Sequence, residues 1–321
     1  MVSEISFGAG PVSGLMTDGT ADEQRSVIEH AIRSGINWFD TAAGYGAGRS
    51  EMHLGRALQT INAPQPVHVA TKVRLLLHGE TDLRPMVIKS VRESLERLQL
   101  SEVTLLQVHN SITRCRGDEP TSITPEDVLG PHGMLAAMED LRADGFVDHF
   151  GLTGIGQPEA LRTVIHSGRF ATIQAPLHVL NPTALVSSPL QCCPDYGGFL
   201  QDAAAVGMGI LAIRVYAGGA LLNAPPSAHT LKTPFFPLDL YERDRINARE
   251  LAQHLGIATP LSQWALRYVL TQRAVSTCLL GLVSTEQIDA AIRTCEGGPL
   301  TDEEQAQLVT ALDRLSHSSS E

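Results

Sequence analysis

Asp40 and Tyr45 stand where a proton can be moved. Asp40 ends the short apolar run that starts at Ile36, and Tyr45 rides on the glycine-broken loop that follows. A helix then opens around Ser50 and Glu51. Two more reactive residues end later apolar runs: Lys72 in Val69-Ala-Thr-Lys72, and His109 in Leu105-Leu-Gln-Val-His109. Singly, each has a plain structural use. Asp40 can bond the backbone of its turn, Tyr45 can sit on a rim, Lys72 can snorkel, and His109 can be a satisfied core histidine. Together they make a relay. A lysine at the end of an apolar strand needs a counter-charge, and Asp40 on the neighbouring strand supplies it. A free tyrosine, with a pKa near ~10, is a reluctant acid at neutral pH, and an ammonium beside it favours the phenolate. A neutral His109 donates a hydrogen bond to a substrate oxygen and orients it. The chemistry is carbonyl reduction, with hydride delivered to carbon and the Tyr45 proton to oxygen. Run backwards, the Tyr45 phenolate is the base for alcohol oxidation.

Residues this far apart in sequence meet only if a regular frame brings strand ends together. Eight short runs rich in apolar and β-branched residues supply one: Ile5 to Gly8, Asn37 to Asp40, Val67 to Thr71, Val103 to Val108, His149 to Leu152, Thr172 to Ala175, Ile210 to Ile213 and Thr277 to Leu280. Helical periodicity fills most of the gaps, over Ala21 to Ser34, Pro85 to Leu98, Gly133 to Asp144, Pro158 to Ser167, Tyr241 to Leu255, Pro260 to Leu270 and Glu286 to Arg293. Strand and helix alternating to eight predict an α/β fold, a (β/α)8 TIM barrel. A doubly wound sheet would carry a glycine-rich phosphate loop after its first strand. Gly8-Ala-Gly10 is followed by Pro11, and no acidic residue closes a second strand at the expected distance. The barrel is read as one domain over 1–321, with 316–321 a disordered tail. Three loops rich in Pro, Gly and Ser, 110–132, 181–199 and 217–240, crowd the strand C-terminal ends and shape a pocket there.

Composition narrows the partners. A net charge of −11 disfavours nucleic acid and anionic membrane surfaces. No apolar run is long enough to span a bilayer, and no signal peptide is visible, which points to the cytosol. The five cysteines, Cys115, Cys192, Cys193, Cys278 and Cys295, have no metal-like spacing, and the vicinal Cys192-Cys193 pair reads as two loop thiols rather than a redox switch. The histidines include no zinc-protease pattern, so no metal is expected. The sequence is silent on oligomeric state.

Residues 35–58, with Val69-Ala-Thr-Lys72, Leu105-Leu-Gln-Val-His109 and Asp144-Gly-Phe-Val147, closely resemble the aldo-keto reductases across nearly the whole chain. That resemblance implies a (β/α)8 barrel using NAD(P)(H) without a metal, with Asp40, Tyr45, Lys72 and His109 matching the catalytic tetrad. It also implies a cofactor site. Thr153 keeps the hydroxyl of the family's Ser-Asn pair at the nicotinamide amide, while Gly154 loses the Asn. Gln174 matches the glutamine ending strand six. Ile213 and Arg214 stand where the family has an aromatic ring stacked on nicotinamide, and Tyr216 is shifted from it. Arg214 reaches the pyrophosphate, the substrate mouth or a rim salt bridge. Ala217, Gly218 and Gly219 fit the loop that approaches the pyrophosphate. Gly281, Ser284 and Gln287 match the adenosine-phosphate motif. Ser284 stands where an Arg or Lys often pairs with the 2′-phosphate of NADP, a contact of about 1.5–3 kcal/mol. The expectation is therefore NAD, or use of both NAD and NADP. Family members usually carry a short hairpin before strand one, and this sequence starts almost at that strand, so the expectation is either a truncated start or a barrel bottom open to solvent or a partner.

The expected activity is an NAD(P)-dependent oxidoreductase acting on a small carbonyl or sugar substrate, leaning to NAD-linked oxidation of an aldose or similar polyol. A reductase of small aldehydes is the alternative within the class. A non-catalytic, nucleotide-binding redox sensor is the alternative outside it, and the complete tetrad argues against it. A metal-dependent hydrolase lacks the His and Asp clusters it needs.

Overall fold

Each of the eight apolar runs becomes a strand. The computed structural model describes all residues except 189, 191–193, 258, 259 and 319–321. The strands are β1 (Ile5–Gly8), β2 (Trp38–Asp40), β3 (His68–Val73), β4 (Val103–Val108), β5 (Val147–Thr153), β6 (Thr172–Pro176), β7 (Gly209–Ile213) and β8 (Val275–Leu280). They pair in parallel in sequence order and close on themselves, with β8 against β1. The chain folds as a (β/α)8 TIM barrel. Between and after the strands run α1 (Leu15–Asp18), α2 (Ala21–Arg33), α3 (Arg49–Thr60), α4 (Arg84–Leu98), α5 (Pro125–Leu129), α6 (Met134–Ala143), α7 (Pro158–Ile165), α8 (Phe199–Ala205), α9 (Leu238–Leu255), α10 (Leu261–Thr271), α11 (Thr285–Glu296) and α12 (Asp302–Ser318).

The two-residue alternation of a strand decides what the barrel holds. Phe7, Phe39, Val69, Val73, Leu106 and Val108 point outwards and join the large core under the helices. The other face carries a separate buried cluster of Trp38, Ala70, Leu105 and Leu211, which forms the floor of the interior. Two residues further along β2, β3 and β4, the same face places Asp40, Lys72 and Gln107 above that floor. Register sets their relative heights, with Asp40 one inward position below Lys72. Asp40 pairs with Ala70, Lys72 with Gln107, and Thr153 with Gln174. An apolar floor and a polar ceiling thus follow from alternation plus register.

Two features correct the sequence expectation. Residues 316–318 continue α12 rather than forming a tail, because Leu308, Ala311, Leu312 and Leu315 bury one face of that helix. Residues 319–321 lie outside the described residues, as do Cys192 and Cys193. The predicted loops also carry short helices. α5 starts with a reciprocal cap between Thr124 and Asp127, and residues 217–222 form a 3-10 segment. Among the described residues, no helix is long and apolar enough to cross a membrane.

Candidate active site

The four sequence-predicted catalytic residues meet at the C-terminal mouth of the barrel, where this fold carries its active sites. Asp40 ends β2, Lys72 lies one residue before the end of β3, and His109 follows β4 directly. Tyr45 stands on the turn that enters α3. That turn is pinned from below. Ser50 donates to the Ala9 carbonyl at 2.7 Å and shares a 2.8 Å hydrogen bond with Thr41. Glu51 accepts from Thr71 of β3 and, at 2.7 Å, from Arg97 of α4. Both Ser50 and Glu51 are fully buried, so they hold the loop carrying Tyr45 onto the barrel rather than face substrate.

Lys72 is the hub. Its side chain is buried and ion-paired with Asp40. It also donates to the Thr41 carbonyl at 2.8 Å and to Tyr45 Oη at 3.3 Å. Desolvation, the largest influence, pulls the Lys72 pKa down, but the charges and hydrogen bonds of Asp40 and Tyr45 outweigh it and leave it raised. The ammonium is therefore charged at neutral pH, and it is placed to stabilise a phenolate on Tyr45. Asp40 is held by more than its cation. Gln107 Nε2 donates to Asp40 Oδ2 at 2.9 Å, and Gln174 Nε2 donates to the same oxygen at 3.2 Å.

His109 packs edge-on against Tyr45, with ring centroids 5.6 Å apart. Burial, then the charges of Arg74 and Lys72, hold its pKa well below the ordinary histidine value. The ring is therefore neutral at neutral pH, which keeps one nitrogen a donor and one an acceptor. Neither ring nitrogen bonds another described residue.

The residues matched to a cofactor site divide into two groups. Thr153 ends β5, Gln174 lies within β6, Ile213 ends β7, and Arg214 and the Ala217-Gly218-Gly219 turn follow β7 at the same mouth. Thr153 Oγ1 is buried and has no hydrogen-bond partner, as a hydroxyl reserved for a ligand amide would be. Gly218 and Gly219 have φ of 71° and 107°, so the turn needs glycine and leaves its backbone bare. A Cβ on Gly218 would lie 3.2 Å from the Arg214 guanidinium, which stacks on Phe236 at 4.0 Å and forms no ion pair among the described residues. Tyr216 does not stand in for the missing stacking ring. It packs among the apolar residues under the helices, and burial drives its pKa up.

The second group lies at the start of α11. Ser284 caps this helix by accepting from the Gln287 amide at 3.3 Å, and Gln287 accepts from the Val283 amide at 3.0 Å. Both side chains thus have local structural uses. The groove beside them is lined by Ser284, Thr285, Asp18, Asp22 and Glu23, with no Lys or Arg in its wall.

Gln107 and Arg74 were absent from the sequence-derived site. Gln107 had a readable signal, a polar amide in a largely buried strand two positions before His109 and so on the same face. Arg74 had none, because its place is set by a loop. Its Nε donates to the His109 carbonyl at 3.2 Å, and its guanidinium lies 5.2 Å from the Phe235 ring. Among the described residues, no group of three or more His, Cys, Asp or Glu is placed to hold a metal.

Known proteins place this site in context. The profile of the Aldo/keto reductase family matches residues 4–313. The L-galactose dehydrogenase of Arabidopsis thaliana is 27% identical over 317 residues, covering 97% of this chain and 91% of that protein. The D-threo-aldose 1-dehydrogenase of Pseudomonas sp is 26% identical over 235 residues, covering 66% of this chain and 68% of that protein. The solved glycerol dehydrogenase of Gluconobacter oxydans superposes with a TM-score of 0.71 at 26% identity, covering 98% of this chain and 92% of that one. With the barrel, its mouth and a match spanning nearly the whole length in agreement, the chain belongs to the aldo/keto reductase family.

Proposed function

We propose that this protein is an NAD(P)-dependent oxidoreductase that interconverts an alcohol and a carbonyl, working chiefly as an NAD-linked dehydrogenase of an aldose or similar polyol. The observation that carries the reading is the buried Asp40–Lys72 pair with Tyr45 Oη 3.3 Å from the ammonium. In oxidation, Tyr45 as phenolate takes the hydroxyl proton while Lys72 holds the negative charge between cycles. Neutral His109 donates to the substrate oxygen and fixes its position against Tyr45. Asp40, braced by Gln107 and Gln174, keeps Lys72 charged and still.

The residues at the mouth fit a nicotinamide dinucleotide. Thr153 would bond the carboxamide, and Gln174 would flank it. Ile213 would pack on the ring in place of an aromatic. Arg214 and the amides of Ala217, Gly218 and Gly219 would face the diphosphate. Gly281, Ser284 and Gln287 would border the adenosine. The bound cofactor supplies the hydride acceptor or donor.

The lean to NAD rests on the groove at Ser284. A 2′-phosphate there would meet Asp18, Asp22 and Glu23 and find no cation in the wall. The lean to sugar alcohols draws support from three relatives whose names are those of L-galactose, D-threo-aldose and glycerol dehydrogenases. Steady-state rates with NAD and NADP over a panel of aldoses, polyols and small aldehydes test the proposal. Turnover of a sugar or polyol with the lower KM for NAD is the expected result. Tight nucleotide binding without turnover of any panel member would overturn it.

A further inference from the structure

Two arginines at the mouth, like Arg56, Arg142 and Arg249 elsewhere, have no carboxylate partner among the described residues. Arg84, Arg97, Arg116, Arg162, Arg169 and Arg267 each pair with a carboxylate. Arg74 and Arg214 form no ion pair among the described residues, in a chain holding 35 acidic residues. They follow β3 and β7, which lie four strands apart and so on opposite sides of the eight-stranded barrel. The loop between the Ala217–Leu222 segment and α9 spans the gap. Its adjacent residues Phe235 and Phe236 stack on Arg74 and Arg214, at 5.2 Å and 4.0 Å. One dipeptide thus orients both cations from above the site.

The two sides are not equivalent. Arg214 adjoins Gly218 and the bare backbone turn given above to the cofactor diphosphate. Arg74 stands on the catalytic side. It begins two residues after Lys72, and its Nε bond to the His109 carbonyl fixes the plane of the guanidinium. Only Nε is engaged. The two terminal amino groups bond no described residue, and together they present the flat, paired donor edge that matches a carboxylate. Desolvation lowers the Arg74 pKa and the charge of Tyr45 raises it, so the guanidinium senses the catalytic phenol although the residue remains open to solvent. His229, whose pKa is lowered first by burial and then by Arg74, also faces this side. Stacking on Phe235 explains the orientation of Arg74. It leaves the paired terminal amino groups of Arg74 free at the catalytic side of the mouth, where a substrate anion can reach them.

We propose that Arg74 recognises a carboxylate on the substrate, so that the preferred substrates are sugar acids or other hydroxy- and oxo-acids bearing a carboxylate away from the reacting carbon. This rests on the reading of Tyr45 as the proton carrier, and it narrows the substrate class given above.

Matched pairs test it in steady state: succinic semialdehyde against butanal, and galacturonate against galactose. Wild-type kcat/KM is expected to favour the acid of each pair at least tenfold, mainly through KM, with the preference shrinking as salt is added. In Arg74→Gln the acid-to-neutral ratio is expected to fall about 10- to 100-fold, the size of one charge-assisted paired contact. Arg74→Lys, which keeps the charge and loses the paired edge, is expected to restore part of it. A wild-type ratio near one, or a ratio unchanged in Arg74→Gln, overturns the proposal. So does a preference for glyceraldehyde 3-phosphate over glyceraldehyde with none for the two acids. Calorimetric binding of succinate in the presence of NAD separates this proposal from the catalytic one, because it needs no turnover. Binding at least tenfold weaker in Arg74→Gln supports the site even if no panel member is oxidised, and no binding to the wild type refutes it.

Discussion

The Asp40–Lys72 pair separates stability from catalysis, because the two groups depend on each other for the first and on Tyr45 for the second. Both side chains are buried: Lys72 has 0% of its side chain exposed and Asp40 2%. Removing one partner from such a pair costs about 3–5 kcal/mol, since the other charge is left without compensation. The structure ranks the two single changes. In Lys72→Met the Asp40 carboxylate keeps the amide donors of Gln107 and Gln174, so the loss is expected near 3 kcal/mol. In Asp40→Asn the ammonium keeps only the Thr41 carbonyl and Tyr45, and the loss is expected near 5 kcal/mol. Additive behaviour would give the double variant a loss of roughly 8 kcal/mol. Once both charges are gone no desolvation penalty remains, so the double variant is expected within about 2 kcal/mol of the wild type. Urea unfolding of the nucleotide-free protein at pH 7.5 measures all four stabilities. Turnover follows a different rule. All three variants lose the ammonium or its anchor beneath Tyr45, so the double variant regains stability without regaining activity. A double variant as unstable as the sum of its parts would refute the pairing argument, and one with wild-type turnover would refute the role given to Lys72.

Three further outcomes follow from the same geometry. Ser284→Arg places a cation in the acidic groove at α11 and is expected to lower the KM for NADP about tenfold while leaving that for NAD within a factor of a few; equal changes for both cofactors would count against a 2′-phosphate position there. Thr153→Val replaces a buried hydroxyl that has no partner in the protein, so stability should hold or rise slightly in urea while the KM for NAD rises several-fold; a destabilised variant with unchanged KM would show the hydroxyl serving the fold. Asp244 is pushed up to about 6, chiefly by burial, against the lowering influence of Arg214 and Arg243. Its folded pKa lies above the unfolded value, so the folded state binds the extra proton between about pH 4 and 6, and stability falls as pH rises through that window. Asp244→Asn should therefore gain about 3 kcal/mol relative to the wild type between pH 4 and pH 8, and a pH-independent difference would rule this out.

The frame was legible because its signals are local. Apolar runs of four to six residues separated by helical periodicity gave all eight strands within a few residues of their observed limits. Asp40, Lys72 and His109 could be found because each ends an apolar run, and in this fold strand ends share a mouth. Gln107 follows the same logic, as a polar residue on the strand face that His109 continues. Arg74, Phe235 and Phe236 were not legible. What joins them is the path of a long loop across the barrel, and no periodicity encodes that path. Ser284 and Gln287 show the converse. A family motif singled them out for a ligand, while the structure gives both a helix-capping use that the Ser-x-x-Gln spacing already implied. The charged first turn and serine-rich end of the helix Asp302–Ser318 resemble a solvated tail in sequence, although its apolar stripe docks on α9.

The most direct test is the Tyr45→Phe variant, assayed for turnover and for nucleotide binding on the same preparation. The ring and its packing against His109 survive the change, and only the hydroxyl 3.3 Å from Lys72 is lost. With Tyr45 as the proton carrier, turnover of every accepted substrate should drop about 10²- to 10⁴-fold, the typical contribution of a positioned acid or base. The dissociation constant for NAD should stay within about threefold, since no cofactor contact is assigned to Tyr45. Turnover in Tyr45→Phe equal to that of the wild type would contradict the account at its centre.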